Sequence, residues 1–162
     1  MKYIKSFLEL NENVNDNLLY HTTDLYNAVK ILKENILKIS IKNNNISFTR
    51  NKNFWYKDDV NAVRFIIDKT LLSNNYKIKS FDFFNNPKIK KMNKPYSDKW
   101  NKHHNFEYEE IVEKDIKNFM KYVVKIEISM SIVNVFDEYD SADLINKITE
   151  LAKTFNKEIF FI

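Results

Sequence analysis

No glycine occurs in the 162 residues, and proline occurs only twice. Glycine supplies positive φ and lets backbone approach a phosphate closely. Its absence excludes Walker A loops and the Gly-rich turns of dinucleotide-binding folds, so any nucleotide site here is built another way. Zero cysteine excludes disulfides and thiolate–metal sites. Three histidines, two of them adjacent, argue against a structural zinc centre.

Hydrophobic residues at 44% and aromatics at 15% suffice for one packed core, and the chain reads as a single domain over 1–162. No apolar run approaches the ~20 residues of a membrane span, and the mean hydropathy is −0.50. The opening residues lack the apolar stretch of a signal peptide. The expected compartment is the cytoplasm, the host's if the source is viral, with no membrane contact.

Lysine is the default cation, and Arg50 and Arg64 are the only arginines. In such a chain an arginine either marks a place that uses a planar, bidentate fork or is a chance survivor. A net charge of +4 is compatible with nucleic acid without diagnosing it. The densest basic stretch, 87–104, reads PKIKKMNKPYSDKWNKHH and interleaves lysines with Tyr96, Trp100, His103 and His104. Cations on phosphate and rings on bases can grip a strand; a surface loop of a Lys-rich protein is the plainer reading.

The pattern predicts a short amphipathic helix over 4–13 and a strand over 18–21. Thr22 or Thr23 is expected to cap a helix, with Asp24 in its first turn. Leu25, Ala28, Val29 and Leu32 fall at i, i+3, i+4 and i+7, a helical stripe to about Asn35. A turn at 43–45 leads to a strand over 46–49. A helix is expected over 51–59, and strands over 62–68, 76–81, 106–112, 122–130 and 133–136. Ser141 is expected to cap a final helix to about Phe155, and 158–162 to close as a strand. Strands outnumber helices without strict alternation, which predicts α+β.

Three clusters carry candidate chemistry. The first is Leu19-Tyr20-His21-Thr22-Thr23, a strand ending in His at the mouth of a helix, whose free N–H groups suit a ribose or phosphate. A lone His there is more often a half-buried structural residue. The second is Ser47-Phe48-Thr49-Arg50 followed by Phe54, Trp55 and Tyr56. Arg50 could clamp a diphosphate and an aromatic could stack on a flat ring; core packing is the commoner fate of such aromatics. The third is Phe106-Glu107-Tyr108-Glu109-Glu110-Ile111-Val112. On a strand Glu107, Glu109 and Ile111 share one face, and Tyr108, Glu110 and Val112 the other. Paired carboxylates suit a wet surface or a site that stabilises developing positive charge.

Together, these motifs resemble the ADP-ribosyltransferase fold, and within it DarT-type toxins and related phage and mobile-element proteins. The matching segments are Leu19-Tyr20-His21-Thr22-Thr23, Ile31-Leu32-Lys33, Phe48-Thr49 through Tyr56, and Glu107-Tyr108-Glu109-Glu110-Ile111-Val112 trailed by Asp115-Ile116. The resemblance covers residues 18 to 130. Asn35 stands where that group has a Gly-containing turn.

The resemblance implies a split β-sandwich with a few flanking helices and an NAD-dependent enzyme that transfers ADP-ribose to a nucleobase or protein. His21 would bond a ribose of NAD, and Thr22, Thr23, Ser47 and Thr49 would shape the pocket. Phe54 or Tyr56 would stack on nicotinamide. Arg50 would bind phosphate or assist proton transfer, a role for which Arg64 is the alternative; Arg64 could instead be a structural ion pair. Glu109 would stabilise the oxocarbenium-like transition state, and Glu107 would orient or deprotonate the acceptor. The 87–104 loop falls where this fold recognises its target, a nucleic acid or a protein.

Two other readings compete. One is a non-catalytic accessory protein of the same fold that binds nucleic acid or protein. The other is a metal-free nuclease using His21 with His103 or His104 as an acid–base pair.

Overall fold

The computed structural model describes residues 17–42, 44–50, 52, 62–80, 109–133 and 138–162. Strand β1 spans Leu18–Thr23, two residues longer than the pattern suggests. Pairing explains the extension, since Thr22 stands opposite Arg64 and Thr23 opposite Val63 on the neighbouring strand. The cap therefore moves on by one residue. Asp24 caps helix α1, Leu25–Glu34, and accepts from the Asn27 amide at 2.7 Å.

The remaining elements follow in order. Strand β2 is Ile36–Leu37, β3 is Ile46–Thr49 and β4 is Val63–Asp68. A short helix α2, Lys69–Ser73, is one the apolar pattern does not announce; Asp68 caps it by accepting from the Leu71 amide at 2.8 Å. Strand β5, Lys79–Ser80, starts three residues later than the pattern suggests, because Tyr76 is drawn into a turn with its amide on the Leu72 carbonyl; Phe81 lies outside the described residues. Strands β6, Glu109–Val112, β7, Ile116–Lys117, and β8, Val123–Ile128, complete the central region. Helix α3 is Met130–Val133, with the Val133 amide on the Ser129 carbonyl, so Val133 is helical where a strand over 133–136 is expected; 134–136 lie outside the described residues. Helix α4, Glu138–Thr154, begins three residues before Ser141, which is buried inside it. Strand β9, Ile159–Phe161, ends the order. The helices expected over 4–13 and 51–59 lie outside the described residues, apart from Lys52.

The architecture is α+β. One seven-stranded sheet has the order β5-β6-β3-β1-β4-β8-β9, antiparallel throughout except for the parallel pair β8–β9. A separate small ladder pairs β2 with β7. Helices α1 and α4 pack together, and Ala28 and Leu32 from α1 join Ile148 and Ala152 from α4 in the core. From the sheet this core receives Leu19, Phe48, Phe65, Ile67 and Ile126. Phe65 meets Phe119 edge-on, with ring centroids 5.4 Å apart, a contact that adds about 0.5–1.5 kcal/mol beyond its area burial. Tyr20, Ile66 and Ile111 are also buried but stand outside this cluster. They alternate with the core residues along their strands and so belong to the opposite face. The centre of the sheet is thus shielded on both sides.

Without glycine, the left-handed positions fall to asparagine. Among the described residues every positive φ belongs to one: Asn35, Asn44, Asn118 and Asn156, at 50–55°. The short polar side chain tolerates this region better than other L-residues do. Among the described residues no helix is long and apolar enough to cross a membrane.

Candidate functional site

The sheet brings three distant motif segments side by side, since β6, β3 and β1 are consecutive neighbours. Tyr20 stands opposite Thr49, and Thr49 opposite Glu109. This forms one row across three strands. The adjacent row contains Phe48 opposite Glu110, and His21 leans on Phe48 with ring centroids 5.8 Å apart. Adjacent rows direct their side chains to opposite faces of a sheet. The register therefore groups His21 with Phe48 and Glu110, and groups Thr49 with Tyr20. Thr22 and Ser47 alternate to the Thr49 face, whereas Thr23 shares the face of His21.

His21 is held from the strand beside it. Its Nδ1 lies 3.0 Å from the Ser47 carbonyl oxygen, so Nδ1–H donates. Burial lowers its pKa from the ordinary 6.5, and the bond to Ser47 only partly opposes this. The ring is neutral at pH 7. With the proton on Nδ1, Nε2 carries the lone pair and can accept from a hydroxyl.

Arg50 does not stand alone. Its Nε lies 3.0 Å from Glu110 Oε1, and Lys69 Nζ lies 2.7 Å from the same oxygen. Glu110 is 3% exposed. A buried carboxylate is tolerable only when paired, and here two cations, one just beyond β3 and one on α2, converge on one. The strand alternation sets Glu110 on the face of Val112 but does not say which face is inward; Lys69 gave no local signal, because only the fold brings α2 against β6.

Arg64 is a structural ion pair. Nε and Nη2 both donate to Glu127 Oε2, at 2.9 and 2.5 Å, and Nη1 donates to the Lys52 carbonyl at 2.5 Å. Both residues of the pair are 7% exposed. The guanidinium carbon lies 5.1 Å from the Tyr20 ring centroid. Lys125 adds a second cation, 2.9 Å from Glu127 Oε1. Burial pushes the Glu127 carboxyl up, but the hydrogen bonds from Lys125 and Arg64 outweigh it and hold the pKa below the ordinary 4.5. The planar fork that arginine offers is used here for carboxylate geometry inside the protein.

One expected anion site is already filled. The α1 N-terminus holds the Asp24 carboxylate, which accepts from the Asn27 amide and from its side-chain nitrogen at 2.6 Å. A second anion beside that carboxylate is disfavoured, so the Thr22–Thr23 corner does not offer the phosphate-binding helix terminus that the sequence suggests. Glu107, Phe54, Tyr56, His103, His104 and the 87–104 loop lie outside the described residues. Two clefts among the described residues lie elsewhere, one along α4 and β9 and one beside Tyr76 and Tyr122.

Compared with known proteins, the chain matches no family model, and no curated protein matches it in sequence.

Proposed function

We propose that the chain is an NAD-dependent ADP-ribosyltransferase that modifies a macromolecular acceptor, a nucleobase or a protein. The observation that carries this reading is the Tyr20–Thr49–Glu109 row, in which segments far apart in sequence meet on adjacent strands. The donor set there suits a dinucleotide. Thr22 and Ser47, both half-buried, carry hydroxyls on this face, beside the buried Tyr20 and Thr49. His21 stands on the opposite face of these strands, against Phe48, so it supports the row through its bond to the Ser47 carbonyl and does not itself reach a ligand on that row.

NAD, when bound, supplies an ADP-ribose group with nicotinamide as its leaving group. As the glycosidic bond breaks, positive charge develops on the sugar, and a fixed carboxylate stabilises that charge more than the ground state. Glu109 and Glu110 are the two candidates on β6. Glu110 is already matched by Arg50 and Lys69, so its negative charge is spent within the protein. Glu109 keeps the catalytic role, and Glu107 takes the acceptor's proton as the nucleophile bonds to the sugar carbon. Phe54 or Tyr56 stacks on nicotinamide, and the 87–104 loop recognises the target.

Nicotinamide release from NAD, measured with and without nucleic acid, tests the reading. Glu109→Gln is expected to lose turnover while keeping its thermal unfolding profile. Full turnover in that variant overturns the assignment.

A second reading, a non-catalytic binding protein of the same architecture, draws on the clefts, neither of which is lined by a residue given a catalytic or NAD-binding role. It predicts no NAD turnover and salt-sensitive binding to nucleic acid.

A further inference from the structure

A basic cleft lies beside the small β2–β7 ladder and, apart from Asp115, outside the motifs discussed above. It is formed where the turn after α2 meets the segment from β6 to β8, and Lys114, Lys117 and Lys121 line it with Tyr76, Tyr122 and Asn118. The floor is built from two phenols. Tyr76 and Tyr122 meet edge to face with centroids 5.8 Å apart, and the Lys117 amide donates to the Tyr76 hydroxyl at 2.9 Å. Lys114 Nζ sits 5.1 Å from the Tyr76 ring centroid, and Lys121 Nζ sits 5.8 Å from that of Tyr122. An aromatic face restrains an ammonium without cancelling its charge.

None of the three lysines meets a carboxylate in an ion pair among the described residues. Neighbouring Lys79 is different, being bonded to Glu113. The one acid in the cleft, Asp115, is engaged by the Ile39 amide at 2.8 Å. Tyr122 brings no compensating negative charge, because burial raises its pKa above the ordinary 10.0. Three exposed cations, two of them restrained over rings, thus face a polar cleft.

We propose that this cleft binds the phosphate backbone of a single-stranded nucleic acid. Three exposed ammonium groups in one polar cleft complement the charge of a phosphate backbone, and Asn118 beside them can bond sugar or base edges. The restraint on Lys114 and Lys121 reduces the side-chain entropy lost on contact. Neither NAD nor the resemblance enters the argument, so the site stands or falls apart from the enzymatic reading.

Fluorescence anisotropy of a labelled oligothymidylate, titrated with the full chain across a salt series, tests it. Combined Lys114→Gln, Lys117→Gln and Lys121→Gln substitutions are expected to weaken binding about tenfold or more at low salt. They should also reduce the slope of log affinity against log salt by about 2. Single substitutions reduce it by about 0.7 each, which keeps the test readable if the triple variant folds poorly. Arginine at the same three positions retains binding. The same charge change on α1 and α4, Lys30→Gln, Lys33→Gln and Lys147→Gln, leaves the slope closer to that of the unaltered chain. The proposal is overturned if the unaltered chain does not bind the strand or if the cleft variant binds it equally well. It is also overturned if the α1 and α4 variant loses as much, or if anionic lipid vesicles are bound and the oligonucleotide is not.

Discussion

Arg50 and Glu110 meet at 3.0 Å across the β3–β6 pairing, each contributed by a segment that carries candidate chemistry. The contact divides the charged groups of the region into those that hold the sheet together and those left for a ligand. Glu110 is almost completely covered, whereas its partners Arg50 and Lys69 keep about a quarter of their side chains in solvent.

Glu110→Gln is therefore expected to act on stability. The substitution leaves two partly solvated cations facing a neutral amide, a loss of about 1–3 kcal/mol. Urea unfolding monitored by tryptophan fluorescence measures it. An unchanged midpoint for Glu110→Gln, together with lost NAD turnover, reverses the roles given to Glu109 and Glu110.

The Arg64–Glu127 pair is deeper, and removal of one partner leaves a buried uncompensated charge. Glu127→Gln is expected to cost about 3–5 kcal/mol at neutral pH. The folded-state pKa of Glu127 is depressed, so its contribution is present above the ordinary 4.5 and is lost as pH falls through the lower folded value. Acid unfolding curves should thus converge for the two proteins well below pH 4.5. Parallel curves down to the acid limit contradict the pairing as the cause.

His21 gives a second pH signature, in a different window. Its folded pKa lies below 6.5, so the unfolded chain takes up the proton first as pH falls. Its share of stability is full above 6.5 and declines below it, with a slope approaching about 1.4 kcal/mol per pH unit. His21→Gln keeps a side-chain donor for the Ser47 carbonyl but does not titrate. Between pH 7 and 5.5 its stability should change less than that of the unaltered chain. Equal changes in the two proteins place the titrating group elsewhere.

Where local pattern and tertiary contact agree, the elements were legible. The stripe from Leu25 to Leu32 and the β-rich runs at 46–49, 63–68 and 123–128 are such cases, sending most of their apolar residues into the core, with Ile66 on the opposite face and Val124 in solvent. The α2 helix was hidden because five residues are too few for a period; only the Asp68 cap announces it. The run after Met130 is rich in β-branched residues, yet it turns helical once the Met130 amide is taken by the Ile162 carbonyl. The candidate site was legible as segments and not as faces. Whether His21 sits with Glu109 or Glu110 depends on the β1–β3 and β3–β6 registers, which long-range pairing sets, and a shift of one residue exchanges every side chain between faces. Arg64 shows the same limit, since Glu127 is 63 positions away.

Asn35 tests how a chain without glycine closes its helices. It ends α1 in the left-handed region at φ 50°, a position where glycine usually gains stability by relieving the Cβ. Here the side chain is used as well. Asn35 Oδ1 accepts from the Met120 amide at 2.8 Å, and its carbonyl accepts from the Phe119 amide at 3.0 Å. These bonds join the end of α1 to the turn before β8, where Phe119 and Met120 are fully buried. Asn35→Gly keeps the backbone conformation but leaves the Met120 amide without its acceptor, a cost of about 1–3 kcal/mol. That exceeds the few tenths of a kcal/mol to be gained from glycine at a left-handed cap. Asn35→Gly is thus expected to lower the unfolding midpoint, and Asn35→Ala to lower it further by adding the left-handed penalty of about 1–2 kcal/mol. Asn156, also left-handed and exposed beyond α4, is the control, with Asn156→Gly neutral or slightly stabilising. Thermal unfolding of the three variants decides the matter: a stabilised Asn35→Gly protein shows that the side-chain bridge contributes nothing.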